Sequence, residues 1–189
     1  MYKEHLDCCY SISKFTQHKQ VKHSLLDIIS KSEFTSPQFF ETEVDISRCD
    51  WHLATSFNRE WVLYIKDFLF NDMLEIYKNL GYDGFTLQEI WFQQYLTGSE
   101  HGWHTHSSNF TNVYYLELPE TASKTQIIVP WDQKTVIEID VKEGDILSFP
   151  SFVIHKGPKN LSSEKKTIVS YNTNLTFSDN LYNTYLGDS

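Results

Sequence analysis

Apolar residues recur at helical intervals in the first part of the chain and form short strand-like runs after Gly84. Residues 18–31 carry an approximate helical stripe of apolar side chains among lysines and histidines, so this segment is predicted to be a helix. The next segment, residues 32–49, is interrupted by Pro37. Because proline removes a backbone donor and breaks helices, we expect this segment to be extended or loop.

A second helix is predicted from a longer stripe that runs from Trp61 to Leu80 with helical spacing. Ser56 or Asn58 can cap its start, since short polar side chains accept hydrogen bonds from the free amides of a first turn. Gly81 follows the last apolar residue and is a suitable stop, because glycine readily adopts the left-handed conformation that ends many helices.

Six short runs follow that are rich in β-branched and aromatic residues and separated by turn residues, at 85–95, 113–118, 126–129, 135–139, 145–149 and 167–171. Helices followed by regularly spaced strands predict a mainly β fold, a jelly roll (double-stranded β-helix) with the N-terminal helices packed outside. We expect one domain over residues 1–189. Its expected parts are a helical N-terminal part (1–83), a jelly-roll core (84–175) and a tail (176–189).

Composition narrows the class of protein. The chain has 189 residues, of which 40% are hydrophobic and 15% aromatic, which is enough for a substantial core and excludes a disordered chain. The net charge of -9 is a poor match to nucleic acid, which attracts basic surfaces. Three cysteines without a CxxC pair give neither a disulfide framework nor a thiolate zinc site. The sequence contains no apolar segment of membrane-spanning length, so we expect a cytoplasmic protein without a membrane partner.

A split set of histidines carries the candidate chemistry. His104 and His106 are two residues apart, and residues i and i+2 of a strand point to the same face. His155 comes later, after a strand that Pro150 ends. Two imidazoles from one segment and a third from another can hold one ion and leave coordination positions open, as a catalytic metal site requires.

A set of motifs, in this order along residues 85–175, resembles the 2-oxoglutarate- and Fe(II)-dependent oxygenases. The motifs are Trp91-Phe-Gln-Gln-Tyr95, His104-Thr-His106, Val113-Tyr-Tyr-Leu116, Gly144-Asp-Ile-Leu-Ser-Phe-Pro-Ser151, His155 and Lys166-Thr-Ile-Val-Ser-Tyr-Asn172. The resemblance is strongest to a subfamily with an HxH pair, a following VYYL strand, an FPS motif and a distal histidine. It implies Fe(II) as the metal and 2-oxoglutarate and O2 as cosubstrates, with succinate and CO2 as co-products of the hydroxylation of a C–H bond.

The resemblance also implies residue roles. His104, His106 and His155 match the iron ligands, and Lys166 matches the basic residue that binds the distal carboxylate of 2-oxoglutarate. Tyr115 and Tyr95 resemble tyrosines that bind the cosubstrate in related prolyl hydroxylases, so the resemblance implies the same role for them.

Two positions depart from the usual pattern of that family. His106 stands where most relatives carry an aspartate, so a nearby carboxylate is an alternative third ligand. Lys166 stands where arginine is common, and lysine binds a carboxylate as a point charge rather than a planar fork.

Two other functions remain open. The segment from Gly144 through Pro150 to His155 also resembles the second motif of metal-binding cupins, which need no 2-oxoglutarate, although Asn109 and Phe110 stand where the first cupin motif requires glutamate. The other alternative is a non-catalytic jelly-roll module that binds through the aromatic residues Trp91, Trp103, Trp131 and Tyr115.

The sequence does not identify the substrate, and a peptide side chain or a small molecule is favoured over nucleic acid. We expect the substrate pocket to be lined by the N-terminal helices and by the loop from Gly98 to Trp103.

Overall fold

The computed structural model describes residues 10–39 and 43–176. Its two α-helices are α1 (His18–Lys31) and α2 (Glu60–Asn79), and a short 3₁₀ helix spans Trp51–Leu53. The strands are β1 (Ser11–Lys14), β2 (Gln38–Phe39), β3 (Val44–Asp45), β4 (Arg48–Cys49), β5 (Gly84–Tyr95), β6 (Glu100–His104), β7 (Phe110–Glu117), β8 (Gln126–Ile128), β9 (Val136–Glu138), β10 (Asp145–Pro150), β11 (His155–Gly157) and β12 (Lys166–Thr176).

The strands form two six-stranded antiparallel sheets. The first sheet has the order β1-β10-β7-β12-β5-β4, and the second has the order β2-β3-β6-β11-β8-β9. The long strand β12 lies between β5 and β7 and pairs with both along most of its length. The architecture is the predicted double-stranded β-helix, a fold that carries ligands inside its mouth rather than on its outer face.

Side chains along the strands of the first sheet point alternately to its two faces, and each face contributes to a separate hydrophobic core. Tyr114 faces α1 and α2, while its neighbour Tyr115 faces the second sheet. Ile168 and Val169 on β12 divide in the same way. Because adjacent strand residues point to opposite faces, one sheet can bury both of its faces. The helices therefore pack outside the sheets, as predicted, and the space between the sheets is left to the candidate site.

Both predicted helices are present, and α1 has the predicted bounds. Gly81 follows the end of α2 and has a positive φ of 90°, in keeping with the predicted stop. The prediction that Ser56 or Asn58 caps α2 is wrong, because the N-cap residue is Arg59 and no side chain caps the helix. Ser56 instead donates a hydrogen bond to the Asn58 side chain.

All six predicted runs are strands, with ends that differ from the predicted ones by at most five residues. The strand β1 was not predicted, whereas β2, β3 and β4 lie in the segment expected to be extended or loop. The N-terminal part, expected to be helical, therefore also supplies strands to both sheets. The tail from residue 177 onward lies outside the described residues. Within the described part of the chain, neither helix is long and apolar enough to cross a membrane.

Candidate metal centre

Three histidine side chains meet between the two sheets. His104 is the last residue of β6, His155 is the first residue of β11, and the two are paired across these strands. His106 lies two residues beyond the end of β6. One ligand atom from each of the three histidines lies within 4.8 Å of the others, so the group can hold a metal ion. These are the three residues predicted to meet, and His104 and His155 lie on strands as expected, whereas His106 lies beyond the end of β6.

Backbone carbonyl groups orient two of the rings. The Nδ1 atom of His104 lies 2.7 Å from the carbonyl oxygen of Gly102, and Nδ1 of His155 lies 2.9 Å from that of Val153. Because a carbonyl oxygen only accepts, each Nδ1 carries the proton and each neutral ring keeps a free lone pair on Nε2. Metal-binding histidines use this arrangement to fix their tautomer and orientation.

The ring of His106 has a different neighbour. Its Nδ1 atom lies 3.4 Å from the side-chain amide nitrogen of Asn172, which donates a 2.7 Å hydrogen bond to Glu89. Glu89 thus approaches His106 through Asn172 and not directly. Among the described residues, no aspartate or glutamate joins the three-histidine group, so the donor set is three imidazoles.

Burial keeps these rings neutral. Desolvation lowers the pKa of His104 and lowers that of His155 well below the usual value near 6.5. Desolvation and the charge of His104 together lower the pKa of His106 to about 4. Metal ions bind the neutral form of imidazole, so the donor set is ready for a metal at neutral pH.

A fourth histidine lies beside the group because of a β-bulge. Between the pairs His155–His104 and Gly157–His101, β11 advances two residues while β6 advances three. The extra residue breaks the alternation and turns His101 to the same side as His104, on whose ring it stacks at 3.8 Å between centroids. Sequence reasoning placed His101 in a loop, because nothing in the spacing reveals a bulge.

A narrow cavity of about 30 Å³ is lined by the three histidines and by Lys166. The Lys166 side chain is buried, with 2% exposure, and its ammonium donates a 3.0 Å hydrogen bond to the carbonyl oxygen of Ser123. Desolvation lowers the pKa of Lys166 to about 8, so the group is still mainly a cation at neutral pH. Within the described part of the chain, Lys166 forms no salt bridge.

Two tyrosines line the same narrow cavity. The Tyr95 ring lies 4.4 Å below the ammonium of Lys166, a cation–π contact that partly replaces the lost hydration of the cation. Tyr115 is buried, and its hydroxyl lies 2.6 Å from that of Thr125. The structure therefore brings Tyr95, Tyr115 and Lys166 to the histidines, while the roles that resemblance assigned to them remain predictions.

A second, larger cavity opens on the other side of the histidines. Its volume is about 330 Å³, and Trp51, Trp91 and Trp103 contribute to its wall. The expected lining was the N-terminal helices and the loop that ends at Trp103. Neither α1 nor α2 lines it, because both pack on the outer face of the first sheet. The wall is formed instead by Pro37, Val44, Ile46, Cys49 and Trp51. We call this space the tryptophan cavity.

Five residues line both cavities: Trp91, Gln93, His101, His104 and His106. His101, His104 and His106 thus form a histidine partition between the narrow cavity and the tryptophan cavity. The aromatic residues proposed for a binding module do not form one surface. Tyr115 and Trp91 are buried, and Trp131 lines a separate small cavity with Phe149.

Comparison with known proteins by sequence gives no match, since neither a family model nor a curated protein matches the chain. Comparison of folds gives many matches. A Pseudomonas putida prolyl-4-hydroxylase has a TM-score of 0.61 at 16% identity, over 88% of this chain and 93% of that chain. An oxidoreductase of the 2OG-Fe(II) oxygenase family from Burkholderia pseudomallei has a TM-score of 0.67 at 10% identity, over 87% and 85% of the two chains.

A third similar structure is the non-heme alpha ketoglutarate dependent epimerase SnoN of nogalamycin biosynthesis, with a TM-score of 0.68 at 9% identity, over 88% of this chain and 77% of that chain. These identities are low, and the likeness is one of fold. The fold of the chain is the double-stranded β-helix of the 2-oxoglutarate- and Fe(II)-dependent oxygenases.

Proposed function

We propose that the protein is a 2-oxoglutarate- and Fe(II)-dependent oxygenase that hydroxylates a C–H bond of its substrate. The observation that carries the proposal is the position of Lys166, a buried cation that forms no salt bridge with any described residue and lies in the same cavity as three converging histidines. A buried charge is costly unless it is paired, so this arrangement favours an anionic ligand that also reaches the metal position.

His104, His106 and His155 are the residues that would hold Fe(II). Their donor set fits, because imidazole is a good ligand for iron and two of the rings present a free Nε2 lone pair. Three imidazoles use fewer coordination positions than iron offers, so positions remain for a chelating cosubstrate and O2. Bound Fe(II) would supply the oxidative chemistry, in which 2-oxoglutarate and O2 become succinate and CO2 and one oxygen atom enters the substrate as hydroxyl.

The residues of the chain itself bind and orient the reactants. Lys166 would bind the carboxylate of 2-oxoglutarate that is remote from the metal, with Tyr95 below the cation and Tyr115 beside it. The narrow cavity has a volume of about 30 Å³, which is less than 2-oxoglutarate requires. We therefore expect binding to widen it, with the ammonium of Lys166 leaving the carbonyl of Ser123 for the carboxylate.

Turnover without a substrate tests the reaction class, because it needs only metal and cosubstrate. We expect slow formation of succinate when Fe(II), ascorbate and 2-oxoglutarate are supplied, and its loss in His155→Ala. His52→Ala is a matched control, since His52 is a surface residue that contacts Glu33. Anaerobic titration with Fe(II) and 2-oxoglutarate should also give a weak visible charge-transfer band. Metal binding without this band and without succinate would favour the cupin-type function instead, and binding of neither would favour a non-catalytic module.

A further inference from the structure

The tryptophan cavity has an unusual lining for a site beside a metal centre. Its wall contains three indole rings and the apolar side chains of Pro37, Val44 and Ile46. Among the described residues, no aspartate, glutamate, lysine or arginine lines it. Its polar groups are few and stand on the side of the histidine partition, where Gln93 lies 3.4 Å from Nδ1 of His101.

We infer that this cavity binds small, uncharged, apolar molecules with a flat ring system, and that the substrate belongs to this class. That this molecule is a substrate rests on the proposed function, because the histidine partition would place a ligand of this cavity next to the metal position. A charged group held inside this cavity would lose its hydration without meeting an oppositely charged side chain of the lining, which is strongly unfavourable. The lining therefore selects against phosphates, carboxylates and ammonium groups.

The size of the cavity sets the size of the ligand. A cavity of roughly 150 Å³ in a protein core is sufficient to bind benzene. At about 330 Å³ the tryptophan cavity is about twice as large, so it has room for two fused rings or for one ring with a substituent. The volume is also at the lower end of the range that binds whole small molecules, about 300–1,000 Å³.

The three indoles occupy different depths. Trp91 is buried with 3% exposure, and its ring lies 5.7 Å from that of His106. Trp51 and Trp103 are exposed at 59% and 38%, so they stand at the mouth. The ammonium of Lys156 lies 4.6 Å from the Trp103 ring. Because Trp51, Trp103, Trp91 and His106 all line this cavity, a flat ring inside it would meet aromatic side chains both at the mouth and beside the histidines.

The exposure of Trp51 and Trp103 also indicates a ligand site. Large exposed aromatic side chains that converge on one cavity mark a ligand site, whereas single apolar residues on a surface are common. The wall that carries Trp51 is also held firmly, because the adjacent Asp50 is fully buried and accepts hydrogen bonds from the Trp61 indole at 2.8 Å and the Phe92 amide at 2.8 Å. These contacts hold the backbone next to Trp51 in place.

The test uses the full-length protein without metal, in the presence of EDTA, and two probes with the same ring: naphthalenemethanol, which is neutral, and naphthoate, which is an anion. Without metal, the carboxylate of naphthoate cannot bind by coordination. Isothermal titration should give a sub-millimolar dissociation constant for naphthalenemethanol and binding at least about tenfold weaker for naphthoate. Equal affinity for the two probes, or no binding of the alcohol at its solubility limit, overturns the inference.

Substitution locates the bound probe. Trp51→Ala and Trp103→Ala should each weaken binding of naphthalenemethanol by about tenfold, because tryptophans at a binding site contribute disproportionately to affinity. Trp131→Ala is the matched control, since Trp131 is similarly exposed at 52% but lines a different cavity. Because all three side chains are exposed, their truncation leaves the core intact, which a thermal melt verifies. A Trp131→Ala effect as large as that of Trp51→Ala overturns the inference. Since no metal or 2-oxoglutarate is present, its failure is distinct from failure of the oxygenase proposal.

Discussion

His155 lies directly opposite His104 in the antiparallel pair of β6 and β11, and the centres of their rings are 4.2 Å apart. The backbone register of these two strands therefore sets the distance between two of the three candidate ligands. A slip of one residue in a sheet sends every side chain of a strand to the other face. Metal binding at this position thus depends on correct pairing of β6 with β11.

The first prediction concerns this ligand pair. Replacement of His155 by alanine should weaken binding of Co(II), a stable spectroscopic substitute for Fe(II), by at least about 100-fold, because two imidazoles cannot replace a facial set of three. The change is measured by titration of the visible absorption of the bound Co(II). His104→Ala should give the same loss, since its ring occupies the paired position on β6.

His101 distinguishes a three-histidine centre from one with four. It stacks on His104 but does not belong to the group of converging ligand atoms. We therefore expect His101→Asn to keep its affinity for Co(II) within about threefold of the parent protein, as expected for a residue outside the ligand set. A loss as large as that of His155→Ala would show that His101 is itself a ligand.

The second prediction concerns Lys166 and 2-oxoglutarate. Lys166→Met keeps the length of the side chain and removes its charge, so it should weaken 2-oxoglutarate binding by about 100-fold or more, while Co(II) still binds. Lys166→Arg should restore part of the affinity because it returns the cation. Lys165→Ala is the matched control, since the Lys165 side chain is partly exposed and pairs with Glu117. Unchanged affinity in Lys166→Met would remove Lys166 from the cosubstrate site.

The third prediction concerns the wall of the tryptophan cavity. Asp50 is buried and forms an ion pair with Arg59 while it accepts hydrogen bonds from Trp61 and Phe92. Removal of one member of a buried ion pair leaves the other charge unpaired, so Asp50→Ala should lower the free energy of unfolding by about 3–5 kcal/mol. Urea denaturation measures this change. Asp140→Ala, which breaks the exposed surface pair with Lys124, should leave the free energy of unfolding nearly unchanged.

Much of this fold follows from local patterns, because each predicted segment buries a regular set of positions. The stripe of α1 and the alternation along β7 and β12 both correspond to faces that the structure buries. The cap of α2 does not follow from such patterns, since Arg59 takes the N-cap position through contacts with Asp50 and the Ile90 carbonyl. Those contacts join parts of the chain that are distant in sequence.

In the candidate site, too, some residues follow from local sequence patterns and others depend on contacts between distant parts of the chain. The HxH spacing and His155 identified the three converging histidines. Lys166, which the family resemblance singled out, lines the same cavity. The position of His101 depends on a β-bulge, and the tryptophan cavity depends on the path of the chain from Val44 to Trp51. Neither the bulge nor the path of these short strands leaves a periodic signal in the sequence, so neither was predicted.

The last prediction is that the metal-free protein loses stability on mild acidification because its histidines are buried. The pKa of His106 is lowered to about 4 and that of His101 to about 3, in both cases mainly by desolvation. An unfolded histidine titrates near 6.5, so below this pH the unfolded chain binds protons that the folded chain does not, and stability falls with pH. At pH 5 each of these two histidines should account for about 2 kcal/mol of the loss relative to pH 7.5. Urea denaturation of the EDTA-treated protein at the two pH values measures this loss of stability.

A variant without the His101 ring tests the cause. When the pH is lowered, the free energy of unfolding of His101→Asn should fall by about 2 kcal/mol less than that of the parent protein, whereas His23→Asn, at an exposed position of α1, should behave like the parent. An identical loss in His101→Asn and the parent would mean that the His101 ring is accessible to protons in the folded state.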